Sequence, residues 1–226
     1  MDLEGRIDLF RNSLGFEDVG DEAILNIATL SFVKRFRKGE TVFDENDACH
    51  YFHVVAEGLV KVSLISFSGN RMTYLLAGYG EPLNLVGPFS GTPRPLCAEA
   101  IEESTVAHMK KKDFVAFAHK NPVLMNNIIV ILGHAVDSAN SRVLDMMEMR
   151  VEKRLLKVLF TLYLKFGERL DFTSAELAEL AGTTTESALR VMSRLRRSGI
   201  IQTQRGRIHV QKPEHLESVG TETMWI

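Results

Sequence analysis

Residues 173–201 read TSAELAELAGTTTESALRVMSRLRRSGII, and this stretch decides the fold of the C-terminal part of the chain. Thr173, with Glu176 three residues later, fits a capping box at the start of a short helix. Gly182 supplies the left-handed residue that a sharp helix exit requires. A second capping box is expected at residues 183–186, TTTE, at the start of a longer helix. Two short capped helices around a single glycine predict a helix-turn-helix.

The segment that follows completes a basic surface. Two short strands are expected at residues 200–204 and 208–211, which makes the motif a winged helix-turn-helix. Residues 184–212 contain seven basic residues and one acidic residue, Glu186. This excess has the sign that a phosphate-binding surface needs. Because a charge run is often only a solvated face, the charge supports DNA binding without proving it.

The second helix carries two residues that can read bases. Glu186 and Arg190 are four apart and share a face near the N-terminal end, which enters the major groove in helix-turn-helix proteins. Arg190 can donate two hydrogen bonds to guanine, and Glu186 can accept one from cytosine. The alternative is that Glu186 completes the capping box and pairs with Arg190. The predicted DNA-contacting residues are Thr184, Thr185, Glu186, Ser187, Arg190, Arg194 and Arg205.

The N-terminal half has a different pattern. A short helix is expected at residues 21–31, and from about residue 33 to 109 short β-rich runs alternate with glycine turns, as at 59–65 and 71–76. Regular short strands with turn signals predict an antiparallel β-roll or sandwich. Helical character returns at residues 110–119, so the fold class is α+β.

A long helix is expected over residues 122–149, starting at Pro122, a residue that suits a first helical turn. Its apolar or small residues recur at steps of three and four, which makes a continuous stripe. The stripe either packs on the β-roll or forms a dimer seam in the manner of a coiled coil. The predicted dimer-helix residues are Ile128, Leu132, Ala135, Ala139, Val143 and Met146.

These patterns divide the chain into a β-roll domain at 1–121, a dimerisation helix at 122–149 and a DNA-binding domain at 150–226. The composition, 45% hydrophobic and 25% charged residues, is that of a soluble globular protein. The N-terminus lacks the basic and apolar segments of a signal peptide. No uninterrupted apolar run approaches the roughly 18 residues that span a bilayer. We therefore expect a cytoplasmic protein with no membrane partner.

The order of parts resembles the Crp/Fnr superfamily of transcription regulators. Residues 36–43, FRKGETVF, and 57–62, EGLVKV, are similar to its β-roll hairpins, and residues 173–201 are similar to its helix-turn-helix. The resemblance implies a β-roll of the cyclic-nucleotide-binding type, a long dimer helix and a winged helix. It also implies a homodimer on a palindromic DNA site with a TGA…TCA core, read by Glu186 and Arg190, and RNA polymerase as a partner.

The sequence departs from the family at the effector site. Cyclic-nucleotide members carry Gly-Glu-Leu followed by Arg-Ser, whereas this chain has NLVG at 84–87 and then Arg94-Pro95. Leu85 replaces the glutamate that binds ribose, so cyclic AMP is not the expected effector. The N-terminal cysteine cluster of iron–sulfur members is absent, so no such cluster is expected. A hydrophobic or planar effector, haem included, suits the expected pocket of Leu83, Leu85, Val86, Phe89, Arg94, Leu96 and Cys97. The alternative is that the same residues belong only to the core.

Two other functions are compatible with a β-roll. A β-roll can host a cupin-like metalloenzyme, but His50 and His53 are three apart, and on a strand they point to opposite faces. No nucleophile elbow, P-loop or dinucleotide motif occurs in the sequence, so neither an enzyme nor a metal site is expected. A haem-based gas or redox sensor stays open, without a diagnostic ligand spacing. The candidate ligands are Cys49, His50, His53, Cys97, His108 and His134.

Overall fold

The computed structural model describes residues 1–217 and contains two compact units. The first unit comprises residues 1–68 and 74–134, and the second comprises residues 69–73 and, among the described residues, 135–217. Helices and strands occur in both units, so the α+β class is confirmed.

The N-terminal part of the chain places helices before, within and after a set of strands. The helices are α1 (Leu3–Arg11), α2 (Asp21–Leu30), α3 (Gly87–Ser90), α4 (Lys111–Lys120) and α5 (Pro122–Glu148). The strands are β1 (Phe32–Phe36), β2 (Thr41–Phe43), β3 (Tyr51–Glu57), β4 (Val60–Ile65), β5 (Arg71–Ala77), β6 (Cys97–Ala100) and β7 (Ser104–Lys110).

These strands form two sheets, with the orders β1-β7-β3 and β2-β6-β4-β5. The strand pairs with a recorded register are antiparallel. Alternate side chains of both sheets meet in one apolar core, as the two-residue period of a strand requires. The predicted antiparallel β-roll is therefore confirmed. The buried core residues are Phe36, Phe43, Val55, Val60, Val62, Leu75, Ala77, Leu83, Ala98, Ala100 and Val106.

Gly58 closes the turn between β3 and β4. Its φ is +81°, and a Cβ atom there would lie 2.5 Å from the carbonyl oxygen of Glu103. Only glycine tolerates both the left-handed backbone and this close approach. The glycine spacing that indicated a roll in the sequence thus has a steric cause at this turn.

The second unit contains the winged helix-turn-helix. Its helices are α6 (Val151–Phe166), α7 (Ser174–Ala181) and α8 (Thr185–Arg197), with a 3₁₀ turn at Pro213–His215. Its strands are β8 (Arg169–Leu170), β9 (Ile201–Gln204) and β10 (Arg207–Val210), in the order β8-β10-β9. The wing is confirmed. The predicted domain at 150–226 extends past residue 217, and residues 218–226 lie outside the described residues.

The helix caps agree with the sequence at α7 and differ at α8. Thr173 Oγ1 accepts from Glu176 N at 3.2 Å, and Gly182 ends α7 with a φ of +58°. The prediction of a second capping box at residues 183–186 is wrong. Thr184 is the N-cap of α8, and its Oγ1 accepts from Ser187 N at 3.2 Å. Because the residue three places after this cap is a serine, Glu186 takes no part in capping.

α5 has the predicted extent and continues without a break for 27 residues. By length and composition it could cross a membrane, since an 18-residue window reaches a mean hydropathy of 1.3. Asparagine, aspartate and serine residues interrupt its apolar positions, and the longest apolar run is residues 128–132.

Candidate functional site

α8 has one buried face and one polar face. Ala188, Val191, Met192 and Leu195 are at most 4% exposed and fix the helix to its unit. The opposite face is exposed and includes Thr185, Glu186 and Arg190 near the N-terminal end. The 3.6-residue period therefore presents the predicted base-reading residues to solvent on one side of a rigidly packed helix.

Arg190 and Glu186 form an ion pair on this exposed face. Arg190 Nη2 donates to Glu186 Oε1 at 3.1 Å, and the two side chains are 70% and 84% exposed. A pair this exposed contributes only about 0.3–0.5 kcal/mol. Each side chain can therefore leave the other for a base edge at small cost. The alternative role for Glu186 was to complete a capping box and pair with Arg190. The structure shows the pairing but not the capping.

Other arginines of the motif have carboxylate partners. Arg194 Nη2 lies 3.1 Å from Glu152 Oε2, so a phosphate contact by Arg194 must compete with this pair. On the wing, Arg207 Nε donates to Asp171 Oδ1 at 2.6 Å. Hydrogen bonds from Arg207 and then Arg169 lower the pKa of Asp171. The basic excess counted in the sequence is thus partly neutralised within the protein.

Three arginines keep their charge open to solvent. Arg196 and Arg197 end α8, and Arg205 lies at the exposed turn between β9 and β10, where Gly206 adopts a φ of +69°. Within residues 1–217, none of the three forms an ion pair. Arg205 therefore lies where the sequence predicted a phosphate contact, at the tip of the wing.

The predicted dimer stripe falls on two faces of α5. Ile128 and Ala135 are 2% and 8% exposed, so they face their own chain, and Leu132 and Ala139 are intermediate. The buried members fit the alternative that the stripe packs on its own chain, and the seam at the predicted residues stays a prediction. Steps of three and four also fit other sets of residues on the same helix. The exposed set with that spacing is Ile129, Gly133, Val136, Asn140, Val143 and Met147.

The predicted effector residues do not share one environment. Leu83 and Leu96 belong to or pack on the apolar core of the roll, and Leu85 is 7% exposed. Val86 is 45% exposed, and the Phe89 ring makes an edge-to-face contact with Phe114 of α4. Cys97 is buried, and its Sγ lies 3.6 Å from the carbonyl oxygen of Ser63. The pocket at these seven residues stays a prediction.

Arg94 is the unusual member of this set. It is 2% exposed, its guanidinium carbon lies 3.9 Å from the centre of the Phe43 ring, and its Nη2 donates to the carbonyl oxygen of Tyr51 at 2.7 Å. Its Nη1 is buried and makes no hydrogen bond within residues 1–217. A buried charged donor without an acceptor is costly, since desolvation is not repaid.

Two buried histidines lie beside Arg94. His53 Nδ1 is 3.4 Å from Arg94 Nη2, and the His53 and His108 rings meet edge-on with centroids 4.6 Å apart. Burial, followed by the charges of His108 and Arg94, lowers the pKa of His53 well below its usual value. Burial also lowers the pKa of His108. The hydrogen bond between its Nδ1 and the Val106 carbonyl oxygen opposes this effect but is the smaller of the two. Burial therefore favours the neutral form of both rings.

The sequence pointed to Arg94 but not to its surroundings. Phe43, Tyr51 and His53 precede Arg94 by 41 residues or more, and no short-range pattern connects them. Backbone hydrogen bonds bring them together: Asn46 N donates to Arg94 O at 2.8 Å, and Arg94 N donates to Asp47 O at 2.9 Å. Elsewhere in the described part of the chain, no three His, Cys, Asp or Glu side chains are grouped closely enough to hold a metal ion.

Comparison with known proteins matches both units. Residues 33–121 match the family "Cyclic nucleotide-binding domain", and residues 153–219 match "Crp-like helix-turn-helix domain". The two matches fall on the β-roll with α4 and on the winged helix-turn-helix with its preceding helix.

Whole-chain relatives show the same combination. The chain is 26% identical over 198 residues to the cyclic AMP receptor protein of Thermus thermophilus, covering 84% of this chain and 90% of that protein. It is 21% identical over 200 residues to the fumarate and nitrate reduction regulatory protein of Salmonella typhimurium, covering 84% and 79%. The structure of FixK2 from Bradyrhizobium japonicum has a similar fold, with a TM-score of 0.75, 18% identity and coverage of 85% and 98%.

Proposed function

The chain belongs to the Crp/Fnr family of DNA-binding transcription regulators, whose members are not enzymes, and we propose that it binds a palindromic site as a homodimer controlled by an effector in the β-roll. The observation that carries the proposal is the exposed Glu186–Arg190 pair at the N-terminal end of a packed helix. RNA polymerase as partner and the cytoplasm as location follow from the same family membership.

DNA reading rests on the geometry of α8. Its first turn enters the major groove, where Arg190 donates to guanine O6 and N7 and Glu186 accepts from cytosine N4. The test pairs protein variants with base substitutions in a TGA…TCA palindrome. Glu186→Ala should lose discrimination at the cytosine that it reads and keep discrimination elsewhere. Unchanged discrimination at every base pair would contradict the assignment.

Dimerisation rests on the exposed face of α5. Ile129, Val136, Val143 and Met147 are between 56% and 76% exposed, and their spacing is the heptad spacing of a two-helix seam. A Cβ atom on Gly133 would meet nothing within 4 Å, so this face is open to a second helix. A parallel pair of α5 helices would bury these side chains.

The test is a glutamate placed on this face. Val136→Glu buries an unpaired charge in the seam, and the protein should sediment as a monomer at micromolar concentration. His134→Glu is the matched control, because this exposed residue is turned by about 160° from Val136 on the helix. Equal dimer content in the two variants would place the interface elsewhere.

The effector proposal rests on the unpaired Nη1 of Arg94. An acidic group on the effector would supply the acceptor that this buried guanidinium lacks. The surroundings, Phe43, Tyr51 and His53, favour an aromatic or apolar body next to that acid. Leu85 offers no acceptor for a ribose hydroxyl, and Pro95 offers no donor beside the anion.

Cyclic AMP is therefore not the proposed effector. Loss of two or three contacts of about 1.4 kcal/mol each weakens binding a hundredfold or more. Calorimetric titration of the ligand-free protein with cyclic AMP should show no binding in the micromolar range. Low-micromolar affinity coupled to tighter DNA binding would overturn this part of the proposal.

Haem remains a second candidate for the planar effector. Of the candidate ligands, His50 and His134 are exposed, whereas Cys49, His53, Cys97 and His108 are buried. His53 and His108 are in direct edge contact, so the two rings cannot bind opposite faces of one porphyrin without moving apart. A visible absorption spectrum of the protein loaded with haem tests this: a Soret band that shifts in His53→Ala supports haem, and free-haem absorption excludes it.

A further inference from the structure

A second cavity lies outside the core of the roll. It has a volume of about 990 Å³ and is formed where β3 begins, between α3 and the first turns of α4. Arg94 does not line it, but Tyr51 and Phe89, which were assigned to the effector site above, do, so the cavity adjoins that site. Its size is that of a pocket for a small organic ligand.

The floor of this cavity is apolar. Phe89 of α3 and Val115 of α4 contribute, together with the small residues Pro88 and Ala116. The Phe89 ring is held in place, since its centre lies 5.8 Å from that of Phe114, in an edge-to-face contact. The floor is therefore a fixed surface on which an aromatic ring or an acyl chain can pack.

The lining of the cavity also includes cations. Lys110, Lys111 and Lys112 are among its lining residues, together with His50 and His119. No carboxylate is among the lining residues that the structure describes, and within residues 1–217 none of the three lysines forms an ion pair. This contrasts with Arg190, Arg194 and Arg207, which have carboxylate partners. The lysines are thus available to an external anion.

We propose that this cavity binds an amphipathic organic anion, with the apolar body on Phe89 and Val115 and the acidic group at Lys110–Lys112. Apolar burial would supply most of the affinity, at roughly 25 cal/mol per Å². The lysines supply selection for negative charge and a dependence on ionic strength. Neither inorganic phosphate, which lacks the apolar body, nor a cationic amphiphile, which lacks the charge, meets both requirements.

The test uses 1-anilinonaphthalene-8-sulfonate as a fluorescent aromatic anion on the full-length protein. The probe should bind, decanoate should displace it, and millimolar phosphate or decyltrimethylammonium should not. In Lys110→Gln/Lys112→Gln the probe affinity should fall by about tenfold, the effect of two partly screened charges. Arg37→Gln/Lys38→Gln, which removes two exposed cations outside the cavity, is the matched control and should leave it unchanged.

A second variant tests the apolar floor independently of charge. Ala116→Trp fills the cavity from an exposed position on α4, so the fold should survive, and it should abolish displacement by decanoate. Equal probe affinity in wild-type protein, Lys110→Gln/Lys112→Gln and Ala116→Trp would place the bound probe elsewhere and overturn the proposal.

Discussion

The surface of α8 and the interior of the β-roll both depend on an arginine, but the two residues are held in opposite ways. Arg190 is 70% exposed and pairs with Glu186, one helical turn away. Arg94 is 2% exposed and contacts residues that precede it by 41 positions or more. The exposed cation costs little free energy to keep, whereas the buried cation is desolvated and leaves one donor without an acceptor. The difference supports the proposal that Arg94 serves effector binding, since its unpaired donor adds no stability to the ligand-free protein.

The largest expected effect is on DNA affinity. Arg190→Ala should cost about 1–3 kcal/mol in each half-site, thus roughly 2–6 kcal/mol for a dimer on a palindrome, because two guanine contacts are lost. Thermal stability should change by less than about 0.5 kcal/mol, as expected for an exposed residue. Fluorescence anisotropy and thermal unfolding measure the two quantities.

Arg205→Ala is the matched control for that experiment. It removes an exposed cation at the wing tip, so it should weaken binding to specific and scrambled DNA alike and reduce the slope of log K against log salt by about one per subunit. If Arg190→Ala behaved in the same way as Arg205→Ala, Arg190 would contact phosphate and not bases.

Substitution of the buried Arg94 should change the unfolding free energy of the protein. Arg94→Met keeps the length of the side chain and removes the unpaired donor, so the ligand-free protein should gain about 1–3 kcal/mol of unfolding free energy in urea. The lost hydrogen bond to Tyr51 limits this gain. Arg94→Lys, which keeps a buried charge, should not stabilise. If Arg94→Met and Arg94→Lys destabilised the protein equally, Arg94 would be a structural residue.

A smaller effect is expected from the histidines beside Arg94. Because the pKa of His53 is lowered in the folded state, the unfolded chain binds a proton that the folded chain does not as the pH falls below about 6.5. The contribution to stability is present above that pH, and up to about 1.4 kcal/mol is lost per pH unit below it until the folded pKa is reached.

The measurement is the unfolding free energy between pH 7.5 and 5.5 in wild-type protein and in His53→Asn, which cannot titrate. The variant should show a flatter pH dependence over that range, whatever its stability at pH 7.5. The same slope in both proteins would assign the pH dependence to other groups, such as His108.

The same contrast explains what the sequence could predict. The helix-turn-helix was predicted nearly to the residue, since the Thr173 cap, the Gly182 exit and the buried face of α8 are all patterns within a few residues. The α8 cap was misplaced by one residue, because three threonines in succession all fit an N-cap. The predicted stripe on α5 combines the buried Ile128 and Ala135 with the exposed Val143, since a three-four spacing on an apolar helix fits more than one face.

The interior of the roll could not be predicted in this way. Arg94 was found only through the resemblance. Backbone hydrogen bonds to Asn46 and Asp47, in the segment between β2 and β3, place it near Phe43 and His53. Val86 and Phe89 were expected to line the same pocket because they are close to Leu85 in sequence. Residues 87–90 form α3 instead, which directs Phe89 toward α4.

The most direct test of the account is the affinity of the wild-type protein for two DNA duplexes. One carries a TGA…TCA palindrome with half-sites one helical turn apart, and the other carries the same half-sites moved apart by half a turn, roughly five base pairs. A dimer that reads both half-sites with α8 should bind the first duplex at least about a thousandfold more tightly than the second at physiological salt. Affinities within about threefold of each other would show that sequence is not read by a symmetric pair of α8 helices.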